Sequence, residues 1–288
     1  MISQKYKITL KSPQSFYHHA DIGTYAHITQ RCDKTLEQMV CVAPMLVYVT
    51  EGQKSIILPD EVITLESGQI VIIPANQRFA MINHSRFSNH KQAGQYKACM
   101  ISWQPKSLQQ FEMAHPVTPL TSVKVLPHPA KSFLHSLQNL SDLFSDSENL
   151  PDTIISHRFE EILLWLMSQG IGLSNTADAQ LSLRVRQFLL SAPDKKWSSK
   201  EVADEMAMSE ATMRRHLSAE NTSLTELITD IRMNHGLMLL QTTQWPVQLI
   251  ALETGYDSGS RFSIRFKERF GFSPGEIRGK SVTKNALS

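Results

Sequence analysis

The side chains whose types and spacing could do chemistry fall into two short runs. Ala211, Thr212, Arg214 and Arg215 form the first, and Ser260, Arg261, Ile264, Arg265 and Lys267 form the second. An arginine guanidinium presents five donors in a planar fork, which fits guanine O6 and N7 as well as phosphate oxygens. Small and apolar neighbours let a helix come close to a groove and touch thymine methyls. This is the chemistry of recognising a duplex. Bond-breaking chemistry has weaker candidates. Cys32, Cys41 and Cys99 are odd in number and form no CxxC pair. Most of the 11 histidines lie in the first 175 residues without i, i+4 metal spacing, which leaves them at most a pH-sensing role.

Reading residues need rigid elements to aim them. In SKEVADEM (199–206), Val202 and Met206 share a face, and small Ala203 permits a close helix crossing. After the turn Ala207-Met208-Ser209, Ser209 suits an N-cap with Glu210 in the first turn. Met213 and Leu217 then point inward, leaving Ala211, Thr212, Arg214 and Arg215 outward. That arrangement predicts a helix-turn-helix whose second helix meets base edges. Residues 246–270 repeat the plan. Pro246 opens a helix carrying Ile250 and Ala251, Gly255 stops it, and Phe262 and Phe266 anchor the next. Between the units, residues 223–242 read as one connector of about 30 Å, close to the ~34 Å between successive major-groove faces. One such turn would be an ordinary helical hairpin; two with a matched connector point to DNA.

The run LIALETGYDSGSRFSIRFKERFGFSPGEIR (249–278) resembles the signature of AraC/XylS-type bacterial transcription regulators. The likeness lies in Ile250-Ala251, Gly255-Tyr256, Ser260, Phe262, Phe266-Lys267, Phe270-Gly271 and Ser273-Pro274. It continues upstream through Ser209, Met213, Arg215, Leu217, Arg232 and Leu239-Leu240. The resemblance implies that Ala211, Arg214 and Arg215 face bases from the first reading helix, and Ser260, Arg261 and Ile264 from the second. Arg265 and Lys267 are expected on phosphates. Three positions depart from the family pattern. Asn221 stands where a glycine is common, and Gly236 replaces an alanine of the connector, which predicts a less stiff helix. Gly259 offers no side chain to a base.

The first ~110 residues have a different period. MLVYVT (45–50), KSIILP (54–59), EVITL (61–65), QIVIIP (69–74), RFAMIN (78–83) and YKACMISW (96–103) read as short strands of an antiparallel barrel. Helical spacing follows over 130–144 and 153–167, predicting a hairpin beside it. GQIVIIPANQRFAMIN (68–83) resembles the second cupin motif, with Gly68, Pro74 and Asn83 in place. Asn76 replaces the turn glycine and Phe79 the metal-binding histidine. Glu61 alone does not make a metal site, since an ion needs three or four converging ligands. A cupin enzyme with an accessory helical domain is therefore disfavoured, and no cofactor is expected. A DNA-repair alkyl-transfer protein would need clustered cysteines. Phe79 and Met81 are the candidate lining of an apolar effector pocket.

The expected architecture is α+β: a cupin-like β-barrel with a helix hairpin (1–170), a linker (171–180), and an all-α double helix-turn-helix domain (181–282). The function expected is a sequence-specific transcription regulator of activator type, controlled through its N-terminal domain. Expected partners are double-stranded promoter DNA, RNA polymerase, a small-molecule effector and a second copy in a homodimer. No signal peptide or membrane span is read, and a cytoplasmic location is expected. The chain's net charge of +2 excludes a polyelectrolyte, yet it is uneven. Residues 1–175 are neutral, 176–256 carry −2 and 257–288 carry +4.

Overall fold

Alternating apolar residues between glycine-, asparagine- and proline-rich turns build the N-terminal half into two antiparallel sheets. A computed structural model of the chain describes residues 16–19, 21–31, 33–85, 94–145, 150–173 and 180–278. The strands are β1 (Phe16–His19), β2 (Gly23–Gln30), β3 (Thr35–Val40), β4 (Met45–Glu51), β5 (Gln53–Ile57), β6 (Val62–Glu66), β7 (Ile70–Ile73), β8 (Arg78–His84), β9 (Tyr96–Trp103) and β10 (Lys124–Leu126). One sheet has the order β1-β2-β9-β4-β7-β10 and the other β3-β8-β5-β6. Ile56, Leu65, Val47, Val49, Val71, Phe79 and Tyr96 fill the space between them. Asn76 takes φ +64 at the turn before β8, so an asparagine supplies the left-handed residue that a glycine would otherwise provide.

Three helices complete this half: α1 (Pro105–Ala114), α2 (Lys131–Ser145) and α3 (Asp152–Ser168). The expected hairpin is α2 on α3. Phe133, Leu137, Leu140, Phe159, Ile162 and Leu166 cover the outer face of the larger sheet, against Tyr25, Leu46, Ile101 and Trp103. Strands β1–β3 and helix α1 add to the elements read from sequence. β2 is covered along most of its length, so it lacks a polar-apolar alternation, and α1 buries only Leu108 and Phe111.

Residues 171–173 begin the segment read as a linker, and they are packed down. Ile171 and Leu173 are buried in the same core, and Gly172 bridges to Pro119. Residues 174–179 of that segment lie outside the described residues, as do 1–15 and 279–288.

The second half is helical: α4 (Leu181–Leu190), α5 (Ser199–Glu205), α6 (Glu210–Ala219), α7 (Leu224–Thr242), α8 (Val247–Glu253), α9 (Gly259–Phe270) and α10 (Pro274–Ile277). It shares its core with the barrel. Leu36, Met39 and Met81 pack into the cluster of α7, α8 and α9, while Val42 and Ala75 pack into that of α4, α5 and α6. No helix among the described residues is long and apolar enough to cross a membrane.

Candidate nucleic-acid interface

Each helix-turn-helix is set by a serine cap, a left-handed turn and a buried anchor pair. In the first unit Ser198 caps α5 in a reciprocal box with Glu201. Ala207 takes φ +56 in the turn, and Ser209 Oγ accepts from the Thr212 N–H at 3.2 Å. Met213 and Leu217 are buried under α5, beside Val202 and Ala203. In the second unit Gly255 takes φ +75 and Ser258 Oγ accepts from the Arg261 N–H at 3.3 Å. Phe262 and Phe266 are buried against Ile250 and Ala251.

With their anchors inward, the residues expected to meet DNA face out. Ala211, Arg214 and Arg215 are exposed on α6, and Arg214 and Arg215 carry no ion pair among the described residues. Thr212 is half-buried, its hydroxyl 2.9 Å from Ser209 Oγ, so it is engaged in the cap. On α9, Ser260, Arg261, Ile264, Arg265 and Lys267 are all exposed, and Ile264 is 59% open to solvent. The helical period sorts them into two ridges: Ser260, Ile264 and Lys267 on one, Arg261, Arg265 and Glu268 on the other. Arg261 pairs with Asp257 at 3.4 Å and Arg265 with Glu268 at 2.9 Å. Gly259 gives its N–H to Gln248 Oε1 at 2.9 Å, tying α9 to α8.

The connector α7 is continuous through Gly236. A Cβ there would stand 2.5 Å from Cε2 of Phe262, so glycine is what lets α9 sit on the connector. Asn221 occupies φ +55 just before α7, a left-handed position asparagine tolerates. Sequence reasoning missed Asp230 and Arg278, and named Arg232 without its contacts, among the residues that hold the units together. Asp230 of α7 accepts from Arg186 of α4 at 2.8 Å and from Arg269 of α9 at 3.0 Å. Arg232 donates to the carbonyls of Pro193 and Lys195 and lies over the Tyr256 ring. Arg278 donates to the carbonyls of Leu240, Thr243 and Trp245, closing the C-terminal end of α7. The orphan carbonyls at a helix end were the available signal.

Residues 202–280 match the family described as a helix-turn-helix domain, and residues 44–172 match the ExsA N-terminal regulatory domain. The chain is 22% identical over 274 residues to the urease operon transcriptional activator of Escherichia coli, covering 91% of this chain and 92% of that one. Each family match covers less than half of the chain, and together they order a regulatory domain ahead of a helix-turn-helix domain. The chain is also 33% identical over 105 residues to the activator FapR of Escherichia coli, a match that spans 36% of this chain and 40% of that protein. Its fold is similar to unsaturated-fatty-acid-bound ToxT of Vibrio cholerae, with TM-score 0.58, 14% identity and coverage of 90% and 96%. The chain is thus a DNA-binding transcription regulator and not an enzyme, with a β-rich half ahead of two helix-turn-helix units.

The candidate effector residues sit deep in that β-rich half. Phe79 is 7% exposed within the barrel core, and Met81 lies on the same strand toward the helical half. The Met81 sulfur accepts from Lys54 Nζ at 3.0 Å. Lys54 is 3% exposed and donates to Asn83 Oδ1 at 2.7 Å, with no carboxylate beside it among the described residues. Burial pushes its amine down to about 7. Asn83 in turn donates to Gln30 Oε1 at 2.9 Å, and Gln241 of α7 donates to the same oxygen at 2.8 Å. Four buried polar side chains therefore join the barrel interior to the connector helix.

Proposed function

We propose that this regulator activates transcription by reading two successive major-groove segments, controlled by a small carboxylate taken up in its N-terminal half. Ala211, Arg214 and Arg215 meet bases from α6, as Ser260, Arg261 and Ile264 do from α9, while Arg265 and Lys267 meet phosphates. Two serine-capped helices with outward arginines, on either end of a connector of about 28 Å, carry this reading. Binding to a duplex selected by the full-length protein from a random pool tests it. Arg214→Ala and Arg215→Ala are each expected to weaken that binding by about 1–3 kcal/mol with the fold intact. Unchanged affinity for both at moderate salt would remove α6 from the reading role.

Support for a carboxylate effector comes from Lys54, a buried amine with no carboxylate beside it among the described residues, and from the nearby Tyr96, whose buried hydroxyl has no hydrogen-bond partner among them. ToxT is the relative seen with a fatty acid. An apolar tail would lie among Phe79, Met81 and their neighbours. Calorimetric titration with an unsaturated fatty acid reads this directly, and no heat of binding would reject it. Activation implies contact with RNA polymerase, and Ile154 and Leu164 on the outer side of α3 offer a face to a second copy. Run-off transcription with purified polymerase and sedimentation velocity check these two partners.

A further inference from the structure

A cleft of about 660 Å³ lies against the second helix-turn-helix, closed by the connector and by the loop that precedes the first unit. Its walls come from three places in the chain: Lys196 and Trp197 ahead of α5, Arg232 of the connector, and Arg261, Ile264 and Arg265 of α9. Four cations line it against two carboxylates, Asp257 and Glu268. Asp257 holds charges from two distant segments, Lys196 Nζ of the loop ahead of α5 at 3.7 Å on one oxygen and Arg261 Nη1 of α9 at 3.4 Å on the other. Arg232 adds a positive charge at a fixed place, because carbonyls of the 193–195 loop and the Tyr256 ring hold it.

We propose that this cleft seats the sugar-phosphate strand that crosses between the two major-groove segments, with Lys196 moving from Asp257 to a phosphate. The inference rests on the two-segment reading above. Successive major-groove faces on one side of B-DNA are separated by a minor groove, and its bounding phosphates must pass the protein between the units. The ridge Arg261–Arg265 borders both the reading face and the cleft, so the two surfaces are continuous. The ion pairs of Asp257 are largely exposed, with Lys196 82% and Asp257 68% open to solvent. Such pairs hold little energy and exchange readily for a phosphate, whose counterions are released to bulk. A seam left by helix packing alone would not require cations from three separate segments to converge.

The test uses the full-length protein, the selected duplex and a random duplex of equal length, with affinity followed from 50 to 200 mM salt. Lys196→Ala is expected to weaken both duplexes by the same factor and to reduce the slope of log K against log salt by about 0.9. The wild-type advantage should then shrink about threefold across that salt range. Asp257→Asn should tighten both. Methylphosphonates placed between the two groove segments should erase the Lys196→Ala effect, since the partner phosphate is then neutral. An unchanged slope, a loss confined to the selected duplex, or a Lys196→Ala effect that survives the neutral backbone would each overturn the assignment. Arg214→Ala run alongside separates the failures: it tests base reading by α6, and its result does not depend on the cleft.

Discussion

Lys54 shows how much one side chain's environment decides. In a sequence it is an unremarkable lysine after a glycine-glutamine turn. In the fold it lies under the Tyr96 ring at 5.5 Å, bonded to Asn83 and Met81, and its ammonium is disfavoured by burial. Its amine, held at about 7 in the fold, ordinarily titrates near 10.4, so the unfolded chain binds the extra proton between those values. That contribution to stability is therefore smallest at and below pH 7 and grows as pH rises above it. A bound carboxylate would reverse the preference by pairing with the ammonium. Affinity for a fatty acid should thus increase as pH falls from 8 to 6, and Lys54→Met should abolish binding. Calorimetry at the two pH values checks both, with thermal melting to confirm that Lys54→Met is folded. Binding that ignores both changes would take Lys54 out of the effector site.

Among the elements, the connector α7 is the one whose sequence misleads most. Gly236 reads as a weakness because glycine in a helix costs about 1 kcal/mol against alanine. Phe262 reverses the sign. Gly236→Ala gains that propensity but drives a methyl into the ring at 2.5 Å, and overpacking costs about 1–3 kcal/mol. The expected result is a net loss near 1 kcal/mol in urea unfolding, together with weaker DNA binding as α9 shifts. A stabilised Gly236→Ala would show that the ring moves aside. The strongly periodic elements were legible beforehand: α2, α3, α6, α7 and α9 follow apolar spacing, and β9 runs Tyr96–Trp103 as read. The short or doubly covered ones, β1–β3, β10 and α1, were not, because periodicity needs one wet face and several turns or pleats to show.

The whole molecule is a barrel and a helical domain sharing one boundary, and that boundary is polar as well as apolar. His235 of α7 feels His18 of β1, and burial, largest, then that neighbouring histidine push its imidazole down to about 4, while Asp194 acts the other way. A histidine titrating below its ordinary 6.5 binds fewer protons folded than unfolded in between. The stability it supports is intact above pH 6.5 and is lost progressively as pH falls toward 4. Thermal melts from pH 7.5 to 5 should show a falling midpoint, and His235→Gln should flatten that dependence; an unchanged slope would place the acid sensitivity elsewhere. What the sequence determined by itself was local: helical and strand periods, serine caps, the two outward arginine runs and the basic end of a nearly neutral chain. Each is set by residues within a few turns of one another. Only the tertiary structure decided which distant groups meet, from the Gln241–Gln30 contact to the cleft joining Lys196 with Arg261. Such meetings depend on how faces pack across more than 60 residues of intervening chain, and no local pattern encodes that distance.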